Sequence, residues 1–153
     1  MKPIPPRSEV ALLPAVCLCG NIRRAARVVT SFYNSYLSAS RIRAPQMPIF
    51  VVLELMGPLT MAHMAEALAM DRTTLARNLR PLEAQGLITR VAGLDRRTKE
   101  VALTEDGRAA LAEALPHWRR AHERATAELG EEQRAALVAG LKRVAETLPF
   151  EAA

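Results

Sequence analysis

The hydrophobic period of this chain switches in its middle, and few folds accommodate the switch. Over residues 72–85 the apolar side chains Leu75, Leu79 and Leu82 recur at steps of four and three, the spacing that lines one face of an α-helix. Asp71 stands where an N-cap belongs, and Gly86 stands where a helix ends on a left-handed residue. Directly afterwards, Leu87-Ile88-Thr89-Arg90-Val91 is rich in β-branched residues. Gly93-Leu94-Asp95-Arg96-Arg97 has the composition of a charged turn, and Thr98 to Leu103 alternates as a strand does. Thr104 then caps a return to the helical period. The switch predicts a mainly α protein with a small β-hairpin (α+β).

The segments on either side read as helices. Residues 1–14 hold four prolines and read as an extended arm. Residues 15–38 carry Ile22, Ala26, Val29, Tyr33 and Tyr36 at three- and four-residue steps. A second helix is expected over 45–56, with Pro48 tolerated in its first turn and Gly57-Pro58 as its stop. Leu59-Thr60-Met61 reads as a short extended piece, and 61–69 as a third helix. After the hairpin, 105–129 carries the stripe Leu111, Leu115, Trp118, His122, Ala125 and Leu129, with Pro116 expected to bend it. Gly130 separates it from a last helix over 131–148 with Leu137, Leu141, Val144 and Leu148 on one side.

The 153 residues carry a formal net charge of +5, which suits an anionic partner. The excess is concentrated. Residues 1–43 hold seven Lys/Arg against one acid and 71–103 hold seven against four, whereas 44–70 and 104–153 are each negative by two. No apolar run approaches the roughly 18–20 residues of a membrane span. Two cysteines do not make a disulfide framework. A cytoplasmic protein with no membrane partner is expected. There is no Gly-rich phosphate loop, no G-x-S-x-G and no H-E-x-x-H, so no catalytic residue, metal or cofactor is expected.

The order helix, tight break, polar-faced helix, basic hairpin is that of a winged helix-turn-helix, whose second helix enters the major groove. Such a helix needs one apolar face to dock and another of short polar and Arg side chains to meet base edges. On 71–85 the second face would be Thr73, Thr74, Arg77 and Asn78, with Arg72 and Arg80 placed for phosphates. Arg96 and Arg97, in the charged turn, would reach backbone or minor groove.

These residues resemble a known family. Asp71-Arg72-Thr73-Thr74-Leu75, Leu82-Glu83, Gly86-Leu87-Ile88 and Asp95-Arg96-Arg97 followed by Leu103-Thr104 are similar to the MarR (multiple antibiotic resistance regulator) family over roughly residues 15–148. Pro48 and Pro81 depart from its general pattern. The resemblance implies a single winged helix-turn-helix domain spanning 1–153. Residues 45–103 would form the DNA-binding part, and 1–40 and 105–153 would supply long dimerisation helices. It also implies a minor-groove role for Arg97, with Asp95 holding it in place. The function implied is a homodimeric repressor on a pseudo-palindromic duplex, released by a small anionic or phenolic ligand or by thiol oxidation.

Three further groups are candidates for control. Cys17 and Cys19 lie near a helix start, where a thiol loses its proton more readily, and would be redox sensors. Against this, a buried cysteine can simply serve as a small apolar residue. Arg24, Phe50 and Trp118 are candidates for an effector pocket. His117 and His122, five apart, are poorly spaced for a shared metal, and His122 reads as a hydrogen-bonded core or interface group. The competing function is a helical dimeric effector-binding or interaction module without useful DNA affinity; the intact wing and polar helix face argue against it.

Overall fold

A computed structural model describes residues 5–93 and 98–150. Seven α-helices and three strands occur among these residues: α1 (Arg7–Val16), α2 (Leu18–Tyr36), α3 (Met47–Met56), β1 (Leu59–Thr60), α4 (Met61–Ala67), α5 (Arg72–Ala84), β2 (Ile88–Ala92), β3 (Lys99–Leu103), α6 (Glu105–Leu129) and α7 (Glu131–Thr147). Short 3₁₀ turns at Leu37–Ala39 and Ala44–Gln46 link α2 to α3. The expected hairpin is the pair β2–β3, and β1 adds to it antiparallel in the order β1-β3-β2, with Leu59 opposite Val101 and Arg90 opposite Val101 from the other side.

The extended reading of 1–14 is corrected. The clustered prolines end at Pro6, which precedes the first turn of α1, and Pro14 falls in its last turn. The boundary with α2 is Cys17, whose extended backbone interrupts the helix and whose sulfur accepts the Gly20 N–H at 3.3 Å.

One core is shared by the α3–α4–α5 helices, the sheet and the first half of α6. It includes Ile49, Phe50, Met64, Leu75, Leu79, Leu82, Leu87 and Val101, all fully buried. The long helix α6 continues past Pro116 to Leu129. Its buried stripe is Gly107, Ala110, Ala114 and Ala121, joined by Leu111. The stripe read from large residues sits beside it, with Leu115, Trp118 and Leu129 exposed. Small side chains let the α6 backbone approach the core closely, and the bulky ones are left to line its flank.

That approach is closest at the junction of hairpin and helix. The Thr104 hydroxyl donates to the Gly86 carbonyl at 2.7 Å and accepts the Gly107 N–H at 2.9 Å. Its own N–H donates to the Leu87 carbonyl at 3.1 Å. A Cβ on Gly107 would lie 2.0 Å from that same Leu87 oxygen. Gly107→Ala must therefore shift backbone, and should lower unfolding free energy by about 3 kcal/mol, the upper part of the usual overpacking range, in denaturant titrations.

Candidate nucleic-acid interface

Helix α5 is held from both ends. At its start Asp71 accepts the Thr74 N–H at 2.7 Å. The Thr74 side chain and then its N–H hold the Asp71 carboxyl below its ordinary range. At its end Gly86 adopts a positive φ of 71°. There the Leu87 N–H donates to the Leu82 carbonyl and the Gly86 N–H to the Glu83 carbonyl, each at 3.0 Å. This is the paired closure of a Schellman motif. Pro81 lies inside the helix, with its ring on the exposed side.

The residues proposed for contact divide into groups. Leu75, Leu79 and Leu82 are fully buried. Thr73, Arg77 and Arg80 recur at i, i+4 and i+7, roughly 180° round the helix from those leucines, and all three are exposed. Arg72 is exposed in the first turn. Thr74 and Asn78 lie on a third side and are half-buried. The Thr74 side chain is engaged with Asp71, and the Asn78 amide donates to the Met70 sulfur at 3.8 Å. The structure thus gathers Thr73, Arg77 and Arg80 into one outward stripe and turns Thr74 and Asn78 back toward the preceding loop. Asp95, Arg96 and Arg97 lie outside the described residues.

The α4–α5 turn is closed by a residue with no turn signal in the sequence. Ala69 has φ 47°, its N–H donating to the Glu66 carbonyl at 3.1 Å while the Met70 N–H donates to the Ala65 carbonyl at 2.9 Å. The same closure that Gly86 supplies to α5 is here made by an alanine, at the steric cost of a Cβ in the left-handed region. Arg90 of β2 was also missed; it pairs with Glu83 of α5 at 3.4 Å, fastening the hairpin to the outward helix.

A second feature lies between this unit and the long helices. A cavity of about 620 Å³ opens between α2, α3 and α6, with Val29, Tyr33, Met47, Val51, Leu115 and Trp118 on its walls. Of the three residues assigned to an effector pocket, Trp118 lines it. Phe50 is fully buried in the core, because α3 turns Ile49, Phe50 and Leu53 inward while Met47, Pro48 and Val51 form the opposite stripe. Arg24 is exposed on α2 and does not line the cavity. His122 is half-buried, with Nδ1 3.4 Å from the Tyr33 hydroxyl, and stacks on Trp118. Cys17 is half-buried, Cys19 exposed, and both are free thiols. Among the described residues, no three His, Cys, Asp or Glu converge as a metal site would require, and no helix is long and apolar enough to cross a membrane.

Fold and interface together define a winged helix-turn-helix protein. The family model described as the MarR family matches residues 42–98. The organic hydroperoxide resistance transcriptional regulator of Bacillus subtilis (strain 168) is 36% identical over 91 residues, 59% of this chain and 62% of that protein. The match thus spans under two thirds of that relative's length. Among solved structures, the M. tuberculosis transcriptional regulator MosR in complex with DNA is 37% identical with a TM-score of 0.73, covering 85% of this chain and 96% of that one. The transcriptional repressor CouR bound to p-coumaroyl-CoA is 25% identical with a TM-score of 0.79, covering 90% and 96%. The chain belongs to the MarR family.

Two outcomes follow from the ends of α4 and α5. Ala69→Gly should raise stability by about 1 kcal/mol, the left-handed penalty less the added unfolded-state freedom of glycine. Because the folded carboxyl of Asp71 is depressed, its contribution is complete above about pH 4, its ordinary range. It is lost as pH falls through the depressed value. Asp71→Asn, which caps but does not titrate, should flatten that acid limb in a pH series of thermal melts while leaving neutral-pH stability nearly unchanged.

Proposed function

We propose that this chain is a sequence-specific DNA-binding transcriptional regulator, acting in the cytoplasm as a homodimeric repressor whose DNA affinity responds to a small molecule in the α2–α3–α6 cavity. The observation that carries the reading is the outward stripe of α5. Thr73, Arg77 and Arg80 are exposed opposite the buried leucines, and the side chains of these three have no hydrogen-bond or ion-pair partner among the described residues. A helix that docks through leucines and presents a hydroxyl and two guanidinium groups suits a major groove. Thr73 and Arg77 would read bases, and Arg72 and Arg80 would contact phosphates. Arg97 would enter the minor groove beside Arg96, with Asp95 holding it, as the family resemblance implies.

The whole chain would work as one domain, with 45–103 on the DNA and the flanking helices joining two copies. Support for the pairing comes from α1 and α7. Neither has a buried residue, and Val10, Leu13, Val16, Leu137 and Leu141 stand exposed on them. An apolar area of that kind is rarely left to solvent. Two-fold symmetry calls for a pseudo-palindromic duplex with half-sites about one helical turn apart. A second mode of control, thiol oxidation, is favoured by the free, half-buried thiol of Cys17 at the start of α2, whose sulfur accepts the Gly20 N–H.

Binding of genomic fragments at physiological salt tests the reading. Sequence preference supports it, and its absence favours the rival, a helical effector-binding or interaction module without useful DNA affinity. Arg77→Ala should relax discrimination at one operator position by about 1–3 kcal/mol. Arg97→Ala should weaken binding to all sequences and reduce the log–log salt slope by about 0.9 for each phosphate the arginine neutralises. Sedimentation should find twice the 16.8 kDa of one chain; a species of single-chain mass at micromolar concentration would overturn the dimer. If oxidation is the signal, peroxide should weaken DNA binding in the native protein and leave Cys17→Ser unaffected.

A further inference from the structure

The side chains on the walls of the α2–α3–α6 cavity are hydrocarbon apart from the Met47 thioether, the Trp118 indole and the hydroxyl-bearing Thr30 and Tyr33. His122 touches two of these walls without lining the cavity itself. Its Nδ1 lies 3.4 Å from the Tyr33 hydroxyl. Its ring lies flat on the Trp118 indole, with centroids 5.0 Å apart and planes 8° from parallel. One half-buried imidazole therefore stands behind a polar wall and an aromatic wall at once.

The charged groups around it come from two helices. On α7, Glu131 and Arg134 form an ion pair, and Glu131 is held below its ordinary range by Arg134 first, with His122 adding to the effect. On α2, burial pushes the Tyr33 phenol up, with Arg134 acting more weakly the other way. The phenol thus keeps its proton throughout the interval, about pH 5 to 8, in which imidazoles ordinarily change charge.

We propose that His122 sets the hydrogen-bonding polarity that Tyr33 presents to a ligand in this cavity, which then prefers hydrogen-bond donors when the ring is neutral and acceptors when it is protonated. The inference rests on the effector reading of the cavity. A phenol has one proton to donate and lone pairs to accept with. In the neutral imidazole with its proton on Nε2, Nδ1 is a lone pair, and the Tyr33 hydroxyl donates to it. The oxygen then offers the cavity only lone pairs. Protonation places a hydrogen on Nδ1, which donates to the Tyr33 oxygen and releases the phenolic proton to point into the cavity. The ring stays stacked on the Trp118 face in either state, with Glu131 among the charged groups around it. No atom of the ligand ionises, so its class is set by whether it donates or accepts.

Calorimetric titration of the full chain with two bicyclic probes, each neutral from pH 5.5 to 8, tests this. Indole donates one hydrogen bond and accepts none. 1-Indanone accepts and donates none. Between pH 8 and pH 5.5, indole affinity should fall and 1-indanone affinity should rise, each about fivefold, the worth of one neutral hydrogen bond. Tyr33→Phe should bind both probes with no pH dependence. His122→Phe, which keeps a flat ring against Trp118, should also remove the crossover. Equal pH profiles for the two probes in the native protein would overturn the proposal while leaving the cavity as an effector site. Failure of both probes to bind at any pH would overturn the effector reading, and this inference with it.

Discussion

The fold hangs on a single contact between backbone and backbone. Where the hairpin ends and α6 begins, Gly107 lies so close to the Leu87 carbonyl that no side chain fits between them. Thr104 ties the same point to Gly86 and caps the helix at once. Leu87 follows the Schellman closure of α5, so the end of the outward helix, the root of the wing and the start of the long helix meet within a few ångströms. The relative placement of α5 and β2–β3 is set there, and the Arg90–Glu83 pair adds a second, weaker fastening.

From that point the molecule divides its side chains by size. Glycine and alanine carry α6 against the core. Of the larger residues of α6, Leu111 joins the core, while Leu115 and Trp118 line the cavity and Leu129 remains exposed. In α3 the allotment by size is reversed, with Phe50 going inward while the smaller Met47 and Val51 face the cavity. The cavity adjoins the core and shares Met47 with it, but none of the leucines that seat α5 is among its walls. A ligand could reshape its walls without unpacking the leucines that seat α5.

What could be read in the sequence was what local chemistry dictates. Asp71, Gly86 and Thr104 are cap residues at the ends of periodic segments, and all three occupy those positions. The hairpin followed from composition and alternation. The exposed stripe of α5 followed from helical spacing, although spacing alone could not say that Thr74 and Asn78 would be drawn toward Asp71 and Met70. Three features had no local signal, and a fourth, helix α1, had one that was passed over. Ala69 is left-handed because α4 and α5 are both docked to the core, which overrides the residue's own preference. The buried alanines of α6 offer little apolar surface beside the leucines of the same helix, yet their smallness is what close approach demands. Phe50 is a core residue because its neighbours in space, not in sequence, surround it. Helix α1 was hidden by a count of prolines that ignored where they stop. The wing residues Asp95, Arg96 and Arg97, on which the family resemblance leaned, fall outside the described residues.

The three-stranded sheet is bounded by short strands. β3 is central and its Val101, Ala102 and Leu103 are buried, while β1 has two residues and β2 has five, with Thr89 and Arg90 exposed. An open strand edge invites a foreign strand to pair with it, and brevity and a fixed charge are common defences. β1 offers too little length to template another chain, and β2 sets an arginine near the middle of its free edge, held in place by Glu83. Sheet extension is thereby discouraged, so molecules of this protein can crowd in a dense cell extract without their sheets zipping together.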